Sequence, residues 1–252
     1  MKTSYDEIRR MCFRALDAAG AAAGIDEDSA HAVAWLEAVG MPGLNGLADA
    51  LDGGDPSERS RGLAVDTTAP PALKVSAGGR SCVFFAPSLI DLLVGMASKN
   101  RDGPVTLRLE KPAHPLFLIP AAVRFCPSEA RISLRWKSDD DTTEVETTRN
   151  MVIRLEPDTG SRQWQHALPV GTVELTYVPA DDATRADRRA NGSSFVLDKS
   201  AVGDRLAAAL RDGLDVDDRA YDRIAVYAAQ ILVPETEASR ISGAGAGLTD
   251  ND

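Results

Sequence analysis

The chain lacks the features of a nucleic-acid-binding or membrane-spanning protein. Its 28 lysines and arginines face 38 aspartates and glutamates, which gives a formal net charge of −10. Binding to nucleic-acid phosphates depends on clustered basic residues, and because no basic run occurs we expect no nucleic-acid partner. No apolar stretch reaches the roughly 20 residues of a transmembrane helix, and the first residues contain no apolar signal segment. The sequence therefore predicts a cytoplasmic protein without a membrane contact.

Aromatic residues and cysteines are also scarce. Aromatic residues make up only 5% of the 252 residues, so the core must be built mainly from Leu, Val, Ile and Ala. The three cysteines, Cys12, Cys82 and Cys126, are far apart and have apolar neighbours. This pattern favours buried thiols in a reducing compartment over a disulfide framework or a zinc site.

The common catalytic and cofactor-binding motifs are absent. The chain has no GxSxG, GxxxxGK[ST] or HExxH element and no GxGxxG between a strand and a helix. The acidic run at 139–141 lacks the ligand spacing of a calcium loop, and a solvated hairpin tip accounts for it, so we expect no metal site. His114 is the strongest catalytic candidate, because Pro112 and Pro115 restrict the backbone around it and rigid loops often carry ligand contacts. A partly buried structural histidine is the alternative interpretation.

Three helices are predicted in residues 1–54. A capping box formed by Ser4 and Glu7 begins the first helix, and Asp26 is a candidate cap for the second. Pro42 precedes the third helix, which should end at Gly53 and Gly54. Apolar residues at helical spacing predict three buried faces, formed by Ile8, Met11, Cys12, Ala15 and Leu16, by Ala32, Trp35, Leu36 and Val39, and by Leu44, Leu47, Ala48 and Leu51.

Residues 63–178 have the pattern of a sheet that includes one helix. The helix is expected at 88–97, where apolar residues recur at positions i, i+3, i+4 and i+7. Strands are expected at 73–75, 82–85, 105–109, 116–119, 121–125, 132–136, 143–147, 151–155 and 173–177. Most intervals between them are too short for helical crossovers, which favours antiparallel pairing.

Two more helices are expected within residues 195–233, after a polar loop at 181–194. Leu197 can staple against Val202, Val216 can staple against Tyr221, and Pro234 ends the second helix. The apolar faces continue through Leu206, Ala209 and Leu210 in the first helix and through Ile224, Ala225, Ala228, Ile231 and Leu232 in the second. The predicted fold is a single α+β domain over residues 1–252, with N-terminal helices, a mixed or mostly antiparallel sheet and two C-terminal helices.

The C-terminal tail, residues 234–252, is glycine-rich. Its glycines permit backbone conformations in which NH groups converge on an anion, or in which the chain approaches another surface closely. A frayed terminus is the alternative. Arg240 could bind a carboxylate or phosphate, or could pair with Glu237 one helical turn before it. The candidate ligand-binding residues are Glu237, Arg240, Gly243, Gly245, Gly247, Asp250 and Asp252.

The N-terminal half resembles the type 2 malate/L-lactate dehydrogenases, NAD(P)-dependent oxidoreductases unrelated to Rossmann enzymes. The likeness covers about residues 4–125, through SYDEIRRMCFRAL, EDSAHAVAWLEAVGMPGLNGLADALDGGD and SLIDLLVGMASKNRDGPVTLRLEKPAH. It implies an acid–base histidine in a Ser-His-Gly element, followed by an arginine that binds the substrate carboxylate. This chain has Met41-Pro42-Gly43 and Gly46 at those places, and proline has no proton to transfer. His114 matches a later Asn-His element of the family only in its histidine.

The whole chain, and above all its last twenty residues, resembles a bacterial family of unknown function. Together the two resemblances imply a non-dehydrogenase relative of the type 2 malate/lactate dehydrogenases that binds a small anionic ligand or a partner. For such a protein NAD is not the expected cofactor, and enzymatic activity is disfavoured. Two alternatives stay open: an NAD(P)-dependent oxidoreductase of 2-hydroxy or 2-keto acids that uses His114, and a structural protein whose tail packs at a subunit interface. The extensive dimer contacts of the dehydrogenases imply a homodimer.

Overall fold

The computed structural model describes most of the N-terminal two thirds of the chain and the two C-terminal helices. The described residues are 1–53, 55–66, 72–100, 103–128, 130–138, 141–148, 153–155, 171–179, 195–197 and 199–231. The polar loop predicted at 181–194, the first two residues of the acidic run and the whole glycine-rich tail lie outside these ranges.

Seven α-helices and ten strands, several of them short, occur in the described residues. The helices are α1 (Tyr5–Ala18), α2 (Ile25–Ala38), α3 (Gly43–Asp52), α4 (Ala86–Lys99), α5 (Leu118–Phe125), α6 (Lys199–Asp212) and α7 (Asp218–Ala228). The strands are β1 (Lys2–Thr3), β2 (Ala64–Asp66), β3 (Ala72–Ser76), β4 (Val105–Glu110), β5 (Ala130–Ser138), β6 (Asp141–Thr148), β7 (Ile153–Leu155), β8 (Thr172–Pro179), β9 (Phe195–Leu197) and β10 (Leu214–Asp215). Short 3-10 helices occur at Pro56–Glu58, Cys82–Phe84, Pro115–Phe117 and Ala229–Ile231.

Six of the strands form one mixed sheet in the order β2-β3-β4-β8-β5-β6. Neighbouring strands run antiparallel except β3 and β4, which are parallel and are joined through α4. The pairs β1 with β10 and β7 with β9 form two separate antiparallel ribbons. The predicted α+β architecture, with its mixed sheet between N-terminal and C-terminal helices, is confirmed.

The six-stranded sheet has one apolar face and one polar face, because successive side chains of a strand point to opposite sides. On the apolar face Leu107 pairs with Leu175 and Leu109 pairs with Val173, and all four residues are buried. Arg108, which lies between the two leucines of β4, is exposed on the opposite face. The helices therefore cover the sheet on the leucine side, where one buried cluster joins both layers.

Helix α1 begins where the sequence predicts. Helix α2 begins two residues earlier than a cap at Asp26 would place it, because its N-cap is Gly24. Ser4 Oγ accepts a hydrogen bond from the backbone N–H of Glu7 at 3.1 Å, as expected for a capping box. Asp26 is not the N-cap of α2, because it lies inside the first turn. Its carboxylate there accepts the N–H groups of Gly24 and Glu27, both at 2.8 Å. The side chain still satisfies N–H groups at the helix start, from a position two residues further on.

Two segments that we predict as strands are helical. Residues 82–84 form a 3-10 helix, and residues 115–125 form a 3-10 helix followed by α5. Short continuous apolar segments suit a buried helix as well as a buried strand, so their pattern does not separate the two. Pro115 and Pro120 lack the N–H that a central strand needs, but both are tolerated near the start of a helix.

The predicted apolar face of α6 is wrong at one residue. Val202 and Ala209 are buried, whereas Leu210 is 69% exposed. The position of Leu210 directly after Ala209 places it beyond the edge of the narrow buried face.

The last helix, α7, is capped as expected but ends early. Asp217 Oδ1 accepts the N–H of Ala220 at 2.7 Å, and Ile224 and Ala228 are buried. The α-helical part ends at Ala228, and Ile231 in the following 3-10 helix is 37% exposed, so the predicted face does not continue to that residue. None of the helices in the described ranges is long and apolar enough to cross a membrane.

Helices α2 and α3 approach each other closely at Gly43. A Cβ atom on this residue would overlap the carbonyl oxygen of Val33 and would lie 3.0 Å from Cβ of Leu36. Only a residue without a side chain fits between the two helices at this point. The packing of the helical layer therefore depends on a glycine at the first position of α3.

We expect Gly43→Ala to lower the free energy of unfolding by about 1–3 kcal/mol, because the added methyl group must push α2 and α3 apart. Gly95→Ala is the matched control, since Gly95 is exposed in α4 and a Cβ there would meet no atom within 4 Å. The control should be neutral or stabilising by up to about 1 kcal/mol, because alanine favours helix more than glycine does. Urea unfolding followed by circular dichroism measures both. Equal stability of the two variants would contradict the close contact.

Candidate functional site

His114 lies in a constrained turn between β4 and α5. Its backbone adopts φ 51° and ψ 56°, in the left-handed region. Residues with side chains rarely adopt this conformation, and where they do the surrounding contacts hold them, often at ligand sites. Pro115 follows directly and begins the 3-10 helix that leads into α5. The backbone on both sides of the histidine is therefore restricted.

Backbone hydrogen bonds attach this turn to the segment after β3. The N–H of Ala113 donates to the carbonyl of Arg80, and the carbonyl of Ala113 accepts from the N–H of Cys82, both at 2.9 Å. Ser81 and Ala113 thereby form an isolated parallel bridge. The bridge places the side chain of Ser81 beside that of the next residue in the turn, His114.

The imidazole of His114 contacts the hydroxyl of Ser81. Nδ1 of the ring lies 3.0 Å from Ser81 Oγ, and Ser81 is only 6% exposed. Burial lowers the pKa of His114 below its usual value of 6.5, while the carboxylate of Asp49 in α3 acts in the opposite direction with a smaller effect. Because its pKa is lowered, the half-buried ring is neutral near pH 7.

The second turn of α3 packs against the same region. A Cβ atom on Gly46 would lie 3.2 Å from Cε2 and Cζ of the Phe117 ring, which is buried three residues after His114. A larger residue at position 46 would therefore require this ring to move. The structure thus brings the start of α3, with Pro42 directly before it, close to the turn that carries His114.

A carboxylate from α2 caps the start of α3. Glu37 Oε1 accepts the backbone N–H of Leu44 at 2.7 Å, and the nearby N–H of Gly43 also lowers the pKa of this carboxylate. Burial raises the pKa of Glu37 to about 7; the two N–H groups oppose this shift, and Asp217 adds to it. The N–H of Leu44 is satisfied in this way although Pro42 offers no side-chain cap, and the N–H of Gly43 donates to the carbonyl of Met41 at 2.8 Å.

Our sequence reasoning did not identify Glu37. The position of Glu37 in the sequence indicates its burial, since Glu37 directly follows Trp35 and Leu36 and lies four residues after Val33. These three residues are buried, in a helix that is apolar on most of its surface. A carboxylate among such neighbours is partly buried, and a buried carboxylate needs hydrogen-bond donors.

The end of α3 is held by α7. Arg223 forms an ion pair with Asp49 at 2.9 Å, and the hydroxyl of Tyr227 donates to the carbonyl of Leu51 at 2.7 Å. These contacts define the orientation of α3 from its C-terminal side. They also leave the Asp49 carboxylate near His114 already paired with a cation.

The other predicted site residues cannot be related to this geometry. All seven ligand-binding candidates lie in the tail, outside the described residues: Glu237, Arg240, Gly243, Gly245, Gly247, Asp250 and Asp252. Their part in a site stays a prediction. Among the residues that the structure describes, no group of three or more His, Cys, Asp or Glu side chains could hold a metal ion.

A protein-family model described as a protein of unknown function (DUF3726) matches residues 3–82. The match runs from β1 to the first residue of the 3-10 helix after β3 and so includes α1, α2 and α3. It confirms the resemblance to a family of unknown function, although it does not extend to the C-terminal tail. No protein of established function is a significant match in sequence.

Several solved structures share the fold at low sequence identity. A dehydrogenase from Sinorhizobium meliloti has a TM-score of 0.58 at 12% identity and covers 91% of this chain and 99% of that one. Malate dehydrogenase from Entamoeba histolytica has a TM-score of 0.59 at 7% identity, covering 93% and 99%. Sulfolactate dehydrogenase from Methanocaldococcus jannaschii has a TM-score of 0.55 at 8% identity, covering 90% and 96%.

These likenesses show the fold of the protein. Its fold is of the malate/lactate dehydrogenase type, which confirms the resemblance noted in the N-terminal half. The shared fold covers at least 90% of the chain in each of the three cases, so it extends well beyond residue 125. At these identities the likeness concerns the fold alone, because proteins that share a fold can differ in function.

Replacing Glu37 by glutamine should change how stability depends on pH. The pKa of Glu37 in the folded state, about 7, is above its ordinary value of 4.5. Its contribution to stability is therefore fully present below about pH 4.5 and is lost as the pH rises through about 7. Glutamine keeps an oxygen acceptor for the Leu44 N–H but does not ionise. We expect Glu37→Gln to be more stable than the wild type at pH 8, by roughly 1–3 kcal/mol.

Denaturant unfolding between about pH 5 and pH 8 measures this difference. Glu110→Gln is a suitable control, because Glu110 is an exposed glutamate on β4. The control should follow the wild-type pH dependence closely. If Glu37→Gln followed it as well, the shifted pKa of Glu37 would be contradicted.

Proposed function

We propose that this protein is a non-dehydrogenase relative of the malate/lactate dehydrogenases that binds a small organic anion. The proposed site lies beside the start of α3. His114 contributes a polar contact, and the C-terminal tail with Arg240 completes the site. The ligand is a carboxylate of the size of a 2-hydroxy or 2-keto acid, and hydride transfer is not part of the function.

The observation that carries this proposal is the replacement of both expected catalytic groups next to α3. Pro42 stands where the resemblance predicts an acid–base histidine, and it cannot transfer a proton. Gly46 falls near the position at which the resemblance predicts a carboxylate-binding arginine, and it packs against the buried ring of Phe117. The fold is kept while the groups that would perform proton transfer and hold the substrate carboxylate are missing. This combination supports binding without the family's reaction.

The chemistry of the similar proteins supports an anionic ligand. Malate and sulfolactate, which appear in the names of two of them, are both small organic anions. The carboxylate that acts on the pKa of His114, that of Asp49, is already paired with Arg223, and the site proposed for this anion also calls for a cation. Arg240 provides one, and its planar guanidinium suits a carboxylate. The tail glycines would let backbone N–H groups approach the same anion.

Thermal unfolding in the presence of small organic anions tests the proposal. We expect at least one anion from a panel of malate, lactate, sulfolactate and 2-keto acids to raise Tm, because a ligand that binds only the folded state stabilises it. Arg240→Ala and deletion of residues 243–252 should each weaken binding by about tenfold or more, the loss expected for a charge-assisted contact.

Arg211→Ala is the matched control for Arg240→Ala. Arg211 is an exposed arginine at the end of α6, paired with Asp212, and its removal should leave the ligand-induced Tm shift unchanged. Light scattering on the deletion variant shows whether its mass has changed, which would instead support a tail that packs at a subunit interface. The proposal fails if no anion raises Tm, or if both tail variants respond like the wild type.

An NAD(P)-dependent oxidoreductase with His114 as its acid–base group is the second candidate. The dehydrogenase names of the similar structures favour it, as does the lowered pKa of His114, because a neutral imidazole can accept a proton. Titration of the protein into NADH and NADPH, followed by nucleotide fluorescence, separates the two candidates. We expect no binding up to about millimolar nucleotide, a weak limit for a cofactor site. Saturable binding at lower concentrations would favour the oxidoreductase.

A further inference from the structure

The hydroxyl of Ser81 makes two contacts that bear on the protonation of His114. Its Oγ lies 3.0 Å from Nδ1 of the imidazole ring. The same oxygen accepts the backbone N–H of Val83 at 3.3 Å. Ser81 is buried at the start of the 3-10 helix that follows β3, so its hydroxyl is shielded from water.

The hydroxyl is also held in a defined place. Ser29 in α2 is 1% exposed, and its hydroxyl donates to the carbonyl of Val83. Val83, which donates its N–H to Ser81, is thus also held through its carbonyl by Ser29. The arrangement connects α2 to the turn of His114 through two buried serines and one residue between them.

The number of protons in this arrangement selects one tautomer of the ring. A serine hydroxyl has one proton to donate and two lone pairs that accept. If Ser81 donates its proton to Nδ1 of His114, both buried groups are paired, and the neutral ring carries its own proton at Nε2, which is not among the buried unpartnered atoms. If Nδ1–H donates instead, the Ser81 proton has no acceptor among the described residues. An unpaired buried hydroxyl biases the equilibrium about five- to hundredfold against that second tautomer.

We infer that Ser81 is a positioning residue that holds His114 as the Nε2–H tautomer, so that the ring offers a ligand a hydrogen-bond donor. The ligand must then present an acceptor oxygen, such as that of a carboxylate or a carbonyl group. Within the described part of the chain Nε2 makes no hydrogen bond, and the ring is only partly buried, so this N–H is open to a ligand. The tautomer follows from the geometry alone, whereas the identity of its ligand rests on the proposed function.

This tautomer bears on the two candidate functions in opposite ways. A ring that already carries a proton at Nε2 cannot take another proton there from a hydroxy acid, which opposes an acid–base role. An N–H donor aimed at a carboxylate or carbonyl oxygen supports binding of an organic anion. Ser81 therefore favours recognition of an oxygen acceptor over proton abstraction at this site.

Nitrogen NMR of the full-length, ¹⁵N-labelled protein tests the inference without a ligand. Long-range ¹H–¹⁵N correlation spectra distinguish a protonated from an unprotonated ring nitrogen, and His114→Gln assigns the signals of this ring. We expect Nδ1 of the wild type to be unprotonated and Nε2 to be protonated. A wild-type spectrum with the proton on Nδ1 would overturn the inference by itself, whether or not any variant folds.

The variants test the role of the hydroxyl. In Ser81→Ala the ratio of the two tautomers should fall by about five- to hundredfold, towards the intrinsic mixture of a neutral histidine. Ser81→Thr, which restores a hydroxyl, should recover the wild-type pattern. Thr147→Val is the matched control, since it removes a buried hydroxyl that donates to the carbonyl of Ile132 and contacts neither Ser81 nor His114. Its ring signals should stay as in the wild type, and an unchanged pattern in Ser81→Ala would exclude a positioning role.

The outcome of the NMR experiment is independent of the proposed function. If no organic anion raises Tm, anion binding is wrong, while the tautomer of His114 is decided by the spectra alone. If an anion does bind, Ser81→Ala should weaken its binding by about fivefold or more and Thr147→Val should not. Equal affinity of Ser81→Ala and the wild type would contradict the use of Nε2–H in recognition.

Discussion

The close contact between α2 and α3 is the constraint on which the rest of the site depends. Gly43 lets α3 approach the backbone of α2, and Glu37 reaches from α2 to accept the N–H of Leu44 in the first turn of α3. A glycine and a partly buried carboxylate thus replace the side-chain cap that Pro42 cannot supply. Without this contact α3 would not present Gly46 to Phe117, and Asp49 would not lie near His114.

The site that results lies within a fold that this chain shares with several solved structures. The helical layer and mixed sheet are those of malate/lactate dehydrogenase-like proteins, over nearly the whole chain. Beside α3, the sequence resemblance predicts a proton-transferring histidine and a carboxylate-binding arginine, and this chain has Pro42 and Gly46 at or near those positions. The remaining histidine is neutral and bound to a buried serine, an arrangement suited to donating a hydrogen bond. Fold likeness and function are therefore best judged separately for this protein.

The segments that sequence reasoning read correctly are those where one local signal dominates. Ser4 with Glu7 begins α1, and strict alternation marks β4 and β5, because capping and period-two burial act within a few residues. The predicted strands at 82–85, 116–119 and 121–125 are wrong, because these residues lie mainly in the helical segments Cys82–Phe84, Pro115–Phe117 and Leu118–Phe125. A short apolar run has no distinct period, and its conformation is decided by what surrounds it. Leu210 shows the same limit, since the width of a buried face depends on the neighbouring helices.

The sequence by itself determined the α+β class and the limits of most helices and strands, because each of these depends on local patterns. Tertiary structure alone decided that Glu37 caps α3, that Gly46 packs on Phe117 and that Ser81 contacts His114. The last two residues are 33 positions apart in the chain. Such contacts arise from packing between distant segments, which no local pattern records.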